Sequence, residues 1–225
     1  MNSKQLAVLV AVAVVSSGCA TVERQPVTAS LSEMLSGRTL VASRYPTSNF
    51  TAKMESGLGA SGLLGAAVTN SLGNQLGSQI VQENDIADPA AVIAAGVGKR
   101  LVERRRMILV PSDDATAEDD RIATLITTFP RADYILDVKT MMWMLFRLPR
   151  DRSRYQLVYH ARIRLIATGS KKVMAESMCK VLPADFGDTP TRDELLDHEA
   201  ALLRQHMAMA TNKCIDVLSE AVLSR

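Results

Sequence analysis

The side chains of this chain that could do chemistry are few, and their spacing limits what that chemistry could be. Its three histidines are His160, His198 and His206, and no His-x-x-x-His or Cys-x-x-Cys spacing occurs. The spacing therefore predicts no metal site. Acidic residues cluster at 118–120, close behind the capping sequence at 112–114, where helix capping and the helix dipole already favour carboxylates. We expect no catalytic residue, no metal and no cofactor.

Cys19 ends a segment that has the features of an export signal. Lys4 supplies a positive charge, residues 6–15 are an unbroken apolar run, and residues 16–18 are small. The run is too short to cross a bilayer as a helix, which takes about 20 apolar residues. A charge, a short apolar run and small residues in this order are typical of a cleaved signal. Whether its thiol is then acylated or joins a disulfide, the chain leaves the cytoplasm.

The residues around this cysteine resemble the lipobox of bacterial lipoproteins. Ser17, Gly18 and Cys19 match the end of that motif, while Ser16 stands where the family usually has Leu. The resemblance implies cleavage before Cys19 and acylation of its thiol with a fatty acid such as palmitate. It also implies the outer membrane, because Ala20 stands where an Asp tends to retain a lipoprotein at the inner membrane.

Two other cysteines remain if Cys19 is acylated. Cys179 lies on the apolar face of a predicted strand, and Cys214 lies on the apolar stripe of the last predicted helix. An even number of thiols in an oxidising compartment favours a disulfide. We consider a bond that joins this helix to the sheet, and two buried free thiols as the alternative.

The segment 56–82 carries no charged residue and is rich in glycine. Small residues recur in it at every fourth position, which would place them on one face of a helix. Such a stripe lets another backbone approach closely, as small-xxx-small motifs do in membranes. One interpretation is a helix or helical hairpin that self-associates or inserts into the lipid surface, and the other is a Gly-rich loop or surface helix. The stripe consists of Gly57, Ser61, Gly65, Thr69, Gly73 and Gly77.

Hydrophobic periodicity elsewhere alternates between strands and helices. This order predicts an α/β (α+β) fold: a mixed sheet that ends in an antiparallel meander, with helices packed on it and a long C-terminal helix running to Leu223. A three-residue hairpin loop at 168–170 would place Leu165 opposite Val173 and Tyr159 opposite Cys179. We predict strands at 39–42, 107–110 (buried), 132–145, 155–167 and 172–182, and helices that begin at 88–89, at 112–114 and at a capping box at 191–194.

This order of elements, over roughly residues 38–223, resembles a domain known from three groups of envelope proteins. They are the amino-terminal module of the Tol translocation protein, the curli-secretion channel lipoproteins and the lipoprotein activators of penicillin-binding proteins. In these families the domain is a periplasmic interaction or assembly module without catalysis. The resemblance therefore implies a protein partner in the envelope, with homo-oligomers as a further expectation.

We divide the chain into a signal peptide at 1–18, a lipidated flexible tether at 19–36 and a single domain at 37–225. The leading hypothesis is a non-enzymatic outer-membrane lipoprotein that faces the periplasm and acts as an interaction or assembly component. One rival is a self-assembling, membrane-inserted secretion or transport component that uses 56–82. A second rival is an envelope hydrolase that uses dispersed residues such as His160 or Asp137. The net charge of +2 and the compartment argue against nucleic acid as a partner.

Overall fold

The sheet is the framework of the molecule. The computed structural model describes residues 33–53, 63–148 and 150–223, and for residues 53 and 63–72 it describes the backbone alone. Six strands lie within these ranges and join in one sheet. They are β1 (Thr39–Ala42), β2 (Thr51–Lys53), β3 (Ile108–Leu109), β4 (Tyr134–Arg147), β5 (Tyr155–Ala167) and β6 (Lys172–Val181).

The strand order is β3-β1-β4-β5-β6, and β2 pairs with the far end of β4. β1 runs parallel to β3 and β4, β2 runs parallel to β4, and β4, β5 and β6 form an antiparallel meander. The predicted α+β class with a mixed sheet is confirmed. The helices are α1 (Leu63–Glu83), α2 (Ala90–Arg105), α3 (Ile122–Thr128) and α4 (Arg192–Leu223), with a 3₁₀ turn at Pro183–Asp185.

The helices cover the two faces of the sheet unequally. The larger core lies between the sheet and α1, α2 and α4, and it includes Leu136, Tyr159 and Leu203. Leu35, inside the range predicted as a tether, is also fully buried there. A smaller core lies on the opposite face, where Leu125 of α3 packs on Ile135 and its neighbours. We call these the helical face and the α3 face.

Two predicted helix starts have the expected caps. The Asp88 carboxylate accepts a hydrogen bond of 2.9 Å from the backbone N–H of Ala90 at the start of α2. At α4 the backbone N–H of Glu194 donates to the Thr191 hydroxyl over 3.2 Å, while the Thr191 N–H donates to the Glu194 carboxylate over 2.7 Å. These reciprocal bonds form a capping box, as predicted.

The last helix is not the continuous rod that the periodicity predicted. Asp197 is extended, and His198, Glu199 and Ala200 have left-handed backbone angles, so α4 consists of a short segment, a break and a long segment. Arg204 donates to the carbonyl of Glu199 over 3.0 Å and also reaches the end of α1. This break contains no Gly or Pro, so the sequence carries no local signal for it.

The predicted hairpin strands are present, but their predicted register is wrong. The loop has four residues rather than three, because Ala167 pairs with Lys172 and Lys171 has a left-handed backbone. A one-residue shift alone would turn side chains to the wrong face of the sheet. A bulge beyond Val173 adds the compensating residue, so Leu165 stands opposite Ala175. Further along, Tyr159 pairs with Val181, and Cys179 pairs with Ala161.

Two predictions near the β3 edge are also wrong. The strand at 107–110 is not buried, since Ile108 and Leu109 are 53% and 49% exposed on an outer strand. The acidic residues 118–120 do not lie in the first turns of a helix, because α3 begins only at Ile122. Asp113 and Asp114 have left-handed backbones and form a turn instead. The carboxylates at 118–120 are therefore free for other contacts.

Candidate functional site

The structure contains a disulfide between Cys179 and Cys214, one of the two alternatives considered for these cysteines. The sulfur atoms of Cys179 in β6 and Cys214 in α4 lie 2.09 Å apart, and the Cα atoms 5.3 Å apart. Both side chains are buried in the larger core. The bond therefore ties the long segment of α4 to the edge strand of the sheet.

The glycine stripe lies partly outside the described residues. Gly57 and Ser61 belong to the range 54–62, and Gly65 and Thr69 fall where only the backbone of α1 is described. Gly73 and Gly77 lie against the chain itself. A Cβ added to Gly77 would stand 1.9 Å from the backbone oxygen of Phe50, and one added to Gly73 would stand 3.1 Å from that of Ala52. This part of the stripe lets α1 approach the β2 segment closely.

Cys19, the predicted lipidation site, lies before residue 33 and is likewise outside the described residues. No helix within the described ranges is both long and apolar enough to span a bilayer. The described residues also contain no group of three or more metal-ligating side chains placed to hold an ion.

Asp137, one of the two hydrolase candidates, is the centre of a buried polar cluster on the α3 face. Its side chain is fully buried in the middle of β4. One carboxylate oxygen, Oδ1, accepts hydrogen bonds from the hydroxyls of Ser43 (3.1 Å) and Tyr45. The other, Oδ2, accepts from Arg164 Nε (2.7 Å) and Arg162 Nη2 (3.3 Å). Both oxygens are therefore occupied.

The cluster extends outward through Arg162. Its guanidinium donates to the Asp120 carboxylate over 2.7 Å, and the Lys139 ammonium lies 3.2 Å from the other oxygen of Asp120. The Glu176 carboxylate lies 3.8 Å from the opposite side of the Arg162 guanidinium. The cluster therefore contains three acidic and three basic side chains: Asp120, Asp137 and Glu176, and Lys139, Arg162 and Arg164. This balance is what buried charges require, because an unpaired charge in a low dielectric is costly.

The cluster changes the proton affinities of its members. Partial burial alone would raise the pKa of Asp120, but hydrogen bonds from Arg162 and Lys139 outweigh burial and lower this pKa to about 2. Burial, reinforced by the charge of Asp137, raises the pKa of the Tyr45 hydroxyl well above its ordinary value. Asp120 is therefore ionised, and Tyr45 is a neutral hydrogen-bond donor, at physiological pH.

A cavity of about 430 Å³ lies beside this cluster, next to the part of β4 between its pairing with β1 and its pairing with β2. β1 pairs with β4 as far as Leu136, and β2 joins only at Met144. The connecting loop 43–50 leaves the sheet in between, which opens the cavity. Tyr45, Lys139, Thr140 and Asp88 are among the side chains that line it.

A chain of hydrogen bonds runs from the cavity lining at Asp88 and Thr140 into the core at Tyr159. The Thr140 hydroxyl donates to the Asp88 carboxylate over 2.5 Å, and the Tyr159 hydroxyl lies 3.0 Å from the Thr140 oxygen. Burial first, and then the Asp88 charge, raise the pKa of Tyr159. Since Asp88 also caps α2, these contacts hold the start of that helix against β4 and β5.

His160, the other hydrolase candidate, does not join Asp137. It lies in β5 opposite Met142 and Lys180, whereas Asp137 lies opposite Arg164. Its Nε2 is buried without a hydrogen-bond partner among the described residues. Burial first, and then the nearby Lys180 charge, lower the pKa of His160 and favour the neutral ring. A relay between a histidine and a carboxylate would need direct contact, which these two residues do not make.

The cluster around Asp137 was not predicted, although the sequence contains a signal for it. Asp137 and Lys139 interrupt an apolar strand, and Arg162 and Arg164 interrupt the next one. Antiparallel pairing places Asp137 opposite Arg164 and Lys139 opposite Arg162. The opposite charges of Asp137 and Arg164 predict a cross-strand ion pair. The like charges of Lys139 and Arg162 would repel each other, and Asp120, which contacts both, supplies the acid between them.

Comparisons with known proteins give partial likenesses of fold. No protein-family model and no curated protein matches the chain. A Xanthomonas campestris protein of the family model DUF330 is 10% identical over 87% of this chain and 85% of that one, with a TM-score of 0.39. PelC from Paraburkholderia phytofirmans, solved as a dodecamer, is 11% identical over 88% and 93%, with a TM-score of 0.35. A lipoprotein from Neisseria meningitidis is 12% identical over 76% and 98%, with a TM-score of 0.26. None of these likenesses assigns an activity or a partner to this chain.

Proposed function

We propose that this chain is a non-enzymatic lipoprotein of the bacterial outer membrane, which faces the periplasm and serves as an interaction or assembly component of the cell envelope. The observation that carries the proposal is Cys19 at the end of a short export signal. Acylation of this thiol would hold the folded domain at the membrane, with residues between Cys19 and Leu35 as the connection.

The disulfide between Cys179 and Cys214 supports export. Disulfides form and persist in oxidising compartments such as the periplasm, and they are rare in the cytosol. A disulfide between Cys179 and Cys214 is therefore consistent with the periplasm, to which the proposed export signal before Cys19 would direct the chain.

The Asp137 cluster supports a structural rather than a catalytic role for the most buried carboxylate. A general base or nucleophile needs a lone pair that can reach a substrate. Both oxygens of Asp137 already accept hydrogen bonds from Ser43, Tyr45, Arg162 and Arg164. We therefore favour the interaction module over the hydrolase.

The glycine stripe gives the membrane-inserted alternative less support than its sequence suggests. Gly73 and Gly77 make their close approach to Ala52 and Phe50 of the same chain. Packing of α1 against β2 is thus a sufficient reason for small residues at these two positions. We keep assembly through 56–82 as the alternative function.

The test of the anchor is Cys19→Ser in the full-length chain, expressed in a bacterial host. We expect the variant to lose labelling by radioactive palmitate and to accumulate uncleaved, while the wild type is labelled and fractionates with the outer membrane. Cys214→Ser is the matched control, because it removes a thiol of the folded domain and should keep the label. Equal labelling and equal fractionation of Cys19→Ser and wild type would rule the anchor out.

The interaction role has its own measurement. The lipidated protein is cross-linked in intact cells and isolated under denaturing conditions, and we expect a discrete adduct with an envelope protein. Exclusively monomeric protein at every cross-linker concentration contradicts an interaction module.

A further inference from the structure

Among the described residues, the sheet ends on one side in a long strand whose outer edge is unpaired. β6 has ten residues, and within the described part of the chain it pairs only with β5. In an antiparallel strand, alternate residues direct their N–H and C=O groups away from the neighbouring strand. β6 therefore presents a row of backbone donors and acceptors, which is a template for another strand. The opposite edge, β3, has only two residues.

Two opposite charges of β6, Glu176 and Lys180, lie two residues on either side of Met178. Glu176, Met178 and Lys180 alternate along the α3 face of the strand. Lys180 is exposed and makes no ion pair with any residue in the described ranges. Glu176 is about a third exposed, and its contact with Arg162 is long, at 3.8 Å. Both charges can thus accept a partner from outside.

A second copy of the chain fits this pattern in one register. A two-fold axis perpendicular to the sheet pairs two β6 strands antiparallel, and residues directly opposite each other must lie on the same face. A register centred on Glu176 or on Lys180 places like charges opposite each other. A register centred on Ser177 places Glu176 opposite Met178, and one centred on Cys179 places Lys180 opposite Met178, so neither register forms an ion pair. The register centred on Met178 places Glu176 opposite Lys180 twice.

We propose that β6 is a homodimerisation edge, at which two copies of this chain pair their β6 strands antiparallel about Met178 and continue the sheet from one molecule into the other. Backbone hydrogen bonds supply the general attraction, and the two Glu176–Lys180 pairs select the register. The dimer does not depend on acylation of Cys19.

The first experiment tests for proximity at the axis. Met178→Cys is introduced into the full-length chain and expressed in a bacterial host. The cell envelopes are then treated with a short thiol cross-linker. We expect a covalent homodimer, because residues at the axis lie directly opposite their own copies. Met142→Cys is the matched control: Met142 is 37% exposed on the same sheet face but lies in β4, away from the edge.

The second experiment tests the register. Lys180→Glu in the Met178→Cys background places Glu176 opposite a second carboxylate, and we expect about tenfold less dimer. Adding Glu176→Lys to the same chain exchanges the two charges and should restore the cross-link. Because Glu176 also contacts Arg162, the thermal stability of each variant is measured in parallel, so that a folding defect is recognised.

Three outcomes overturn the proposal. Equal cross-linking at positions 142 and 178 indicates random collision. Loss of the dimer in Lys180→Glu without recovery in the charge-exchanged chain, when that chain is folded, excludes the Glu176–Lys180 register. An adduct of Met178→Cys with a different protein, and no homodimer, assigns the edge to another partner.

Discussion

The two faces of the sheet are held together by different physical means. On the helical face, apolar side chains, a disulfide and a close helix-to-strand approach at Gly77 join α1, α2 and α4 to the strands. On the α3 face a seven-residue helix covers a small apolar core, and charged side chains around Asp137 occupy the adjoining area. A short helix thus leaves sheet surface that apolar packing does not fill, and here paired charges occupy that surface.

The largest expected effect is on the α3 face. Asp137→Ala leaves Arg164 and Arg162 without their buried counter-charge, and removing one partner of a buried ion pair typically costs about 3–5 kcal/mol. We expect a loss of this size in the free energy of unfolding, measured by urea denaturation. Asp216→Ala is the control, because Asp216 pairs with Arg100 at the surface, where ion pairs contribute about 0–1 kcal/mol. Equal losses for the two variants would show that the cluster does not stabilise the fold.

The helical face should respond nearly as strongly to loss of its covalent bond. Cys179→Ser combined with Cys214→Ser removes a cross-link between residues separated by 35 positions. In the chain-entropy model a loop of this size stabilises by about 3–4 kcal/mol. The free energy of unfolding of the wild type should fall by that amount when a reductant is added, and that of the double variant should not change. A wild-type transition that stays the same after full reduction contradicts this prediction.

Substitutions of Gly77 and Gly98, both in helices on the helical face, should distinguish the effect of close packing from that of helix propensity. In Gly77→Ala the new methyl group meets the Phe50 backbone, and overpacking of this kind typically costs about 1–3 kcal/mol. In Gly98→Ala the nearest atoms, on Leu136 and Leu109, lie at ordinary contact distances of 3.7 and 3.8 Å. Gly98→Ala should stabilise α2 by up to about 1 kcal/mol. A Gly77→Ala variant that melts at or above the wild-type temperature argues against a close approach at Gly77.

The smallest expected effect is a pH dependence on the α3 face. The pKa of Asp120 is lowered to about 2 in the folded chain, below its ordinary value of 3.8. The unfolded state therefore binds more protons between these values, so this contribution is complete above about pH 4 and is lost as the pH falls toward 2. In Asp120→Asn the melting temperature should fall less steeply between pH 4 and pH 2 than in wild type. Identical slopes would show that Asp120 has no such linkage.

Local signals in the sequence predicted most elements but not their exact positions. The caps at Asp88 and Thr191 were predictable, because a cap depends on residues within three positions of each other. The register of the β5–β6 hairpin was not predictable, since the left-handed Lys171 and the bulge beyond Val173 compensate for each other only in the folded sheet. The exposure of β3 likewise depends on which strand becomes the edge.

Some features of the candidate site could also be predicted from local sequence, and others could not. The apolar character of the segments around Cys179 and Cys214 indicated that both would face the core. The cavity beside Asp88 and Tyr45 depends on β1 and β2 pairing with different parts of β4, which no single stretch of sequence encodes. The glycines at 73 and 77 could be recognised as a contact stripe, but their contact with Phe50 and Ala52 is a tertiary fact.

Composition and short-range periodicity were enough to predict the α+β class and most of the elements in their order, although β2 was not predicted. They also predict an export signal that ends at Cys19, outside the described residues. Which surfaces are enclosed depends on the tertiary structure. Gly77 lies against its own chain, Asp137 is enclosed between two arginines, and β6 has no second strand partner among the described residues. The physical reason is that burial and charge pairing depend on residues far apart in the chain, and their proximity exists only once the sheet has formed.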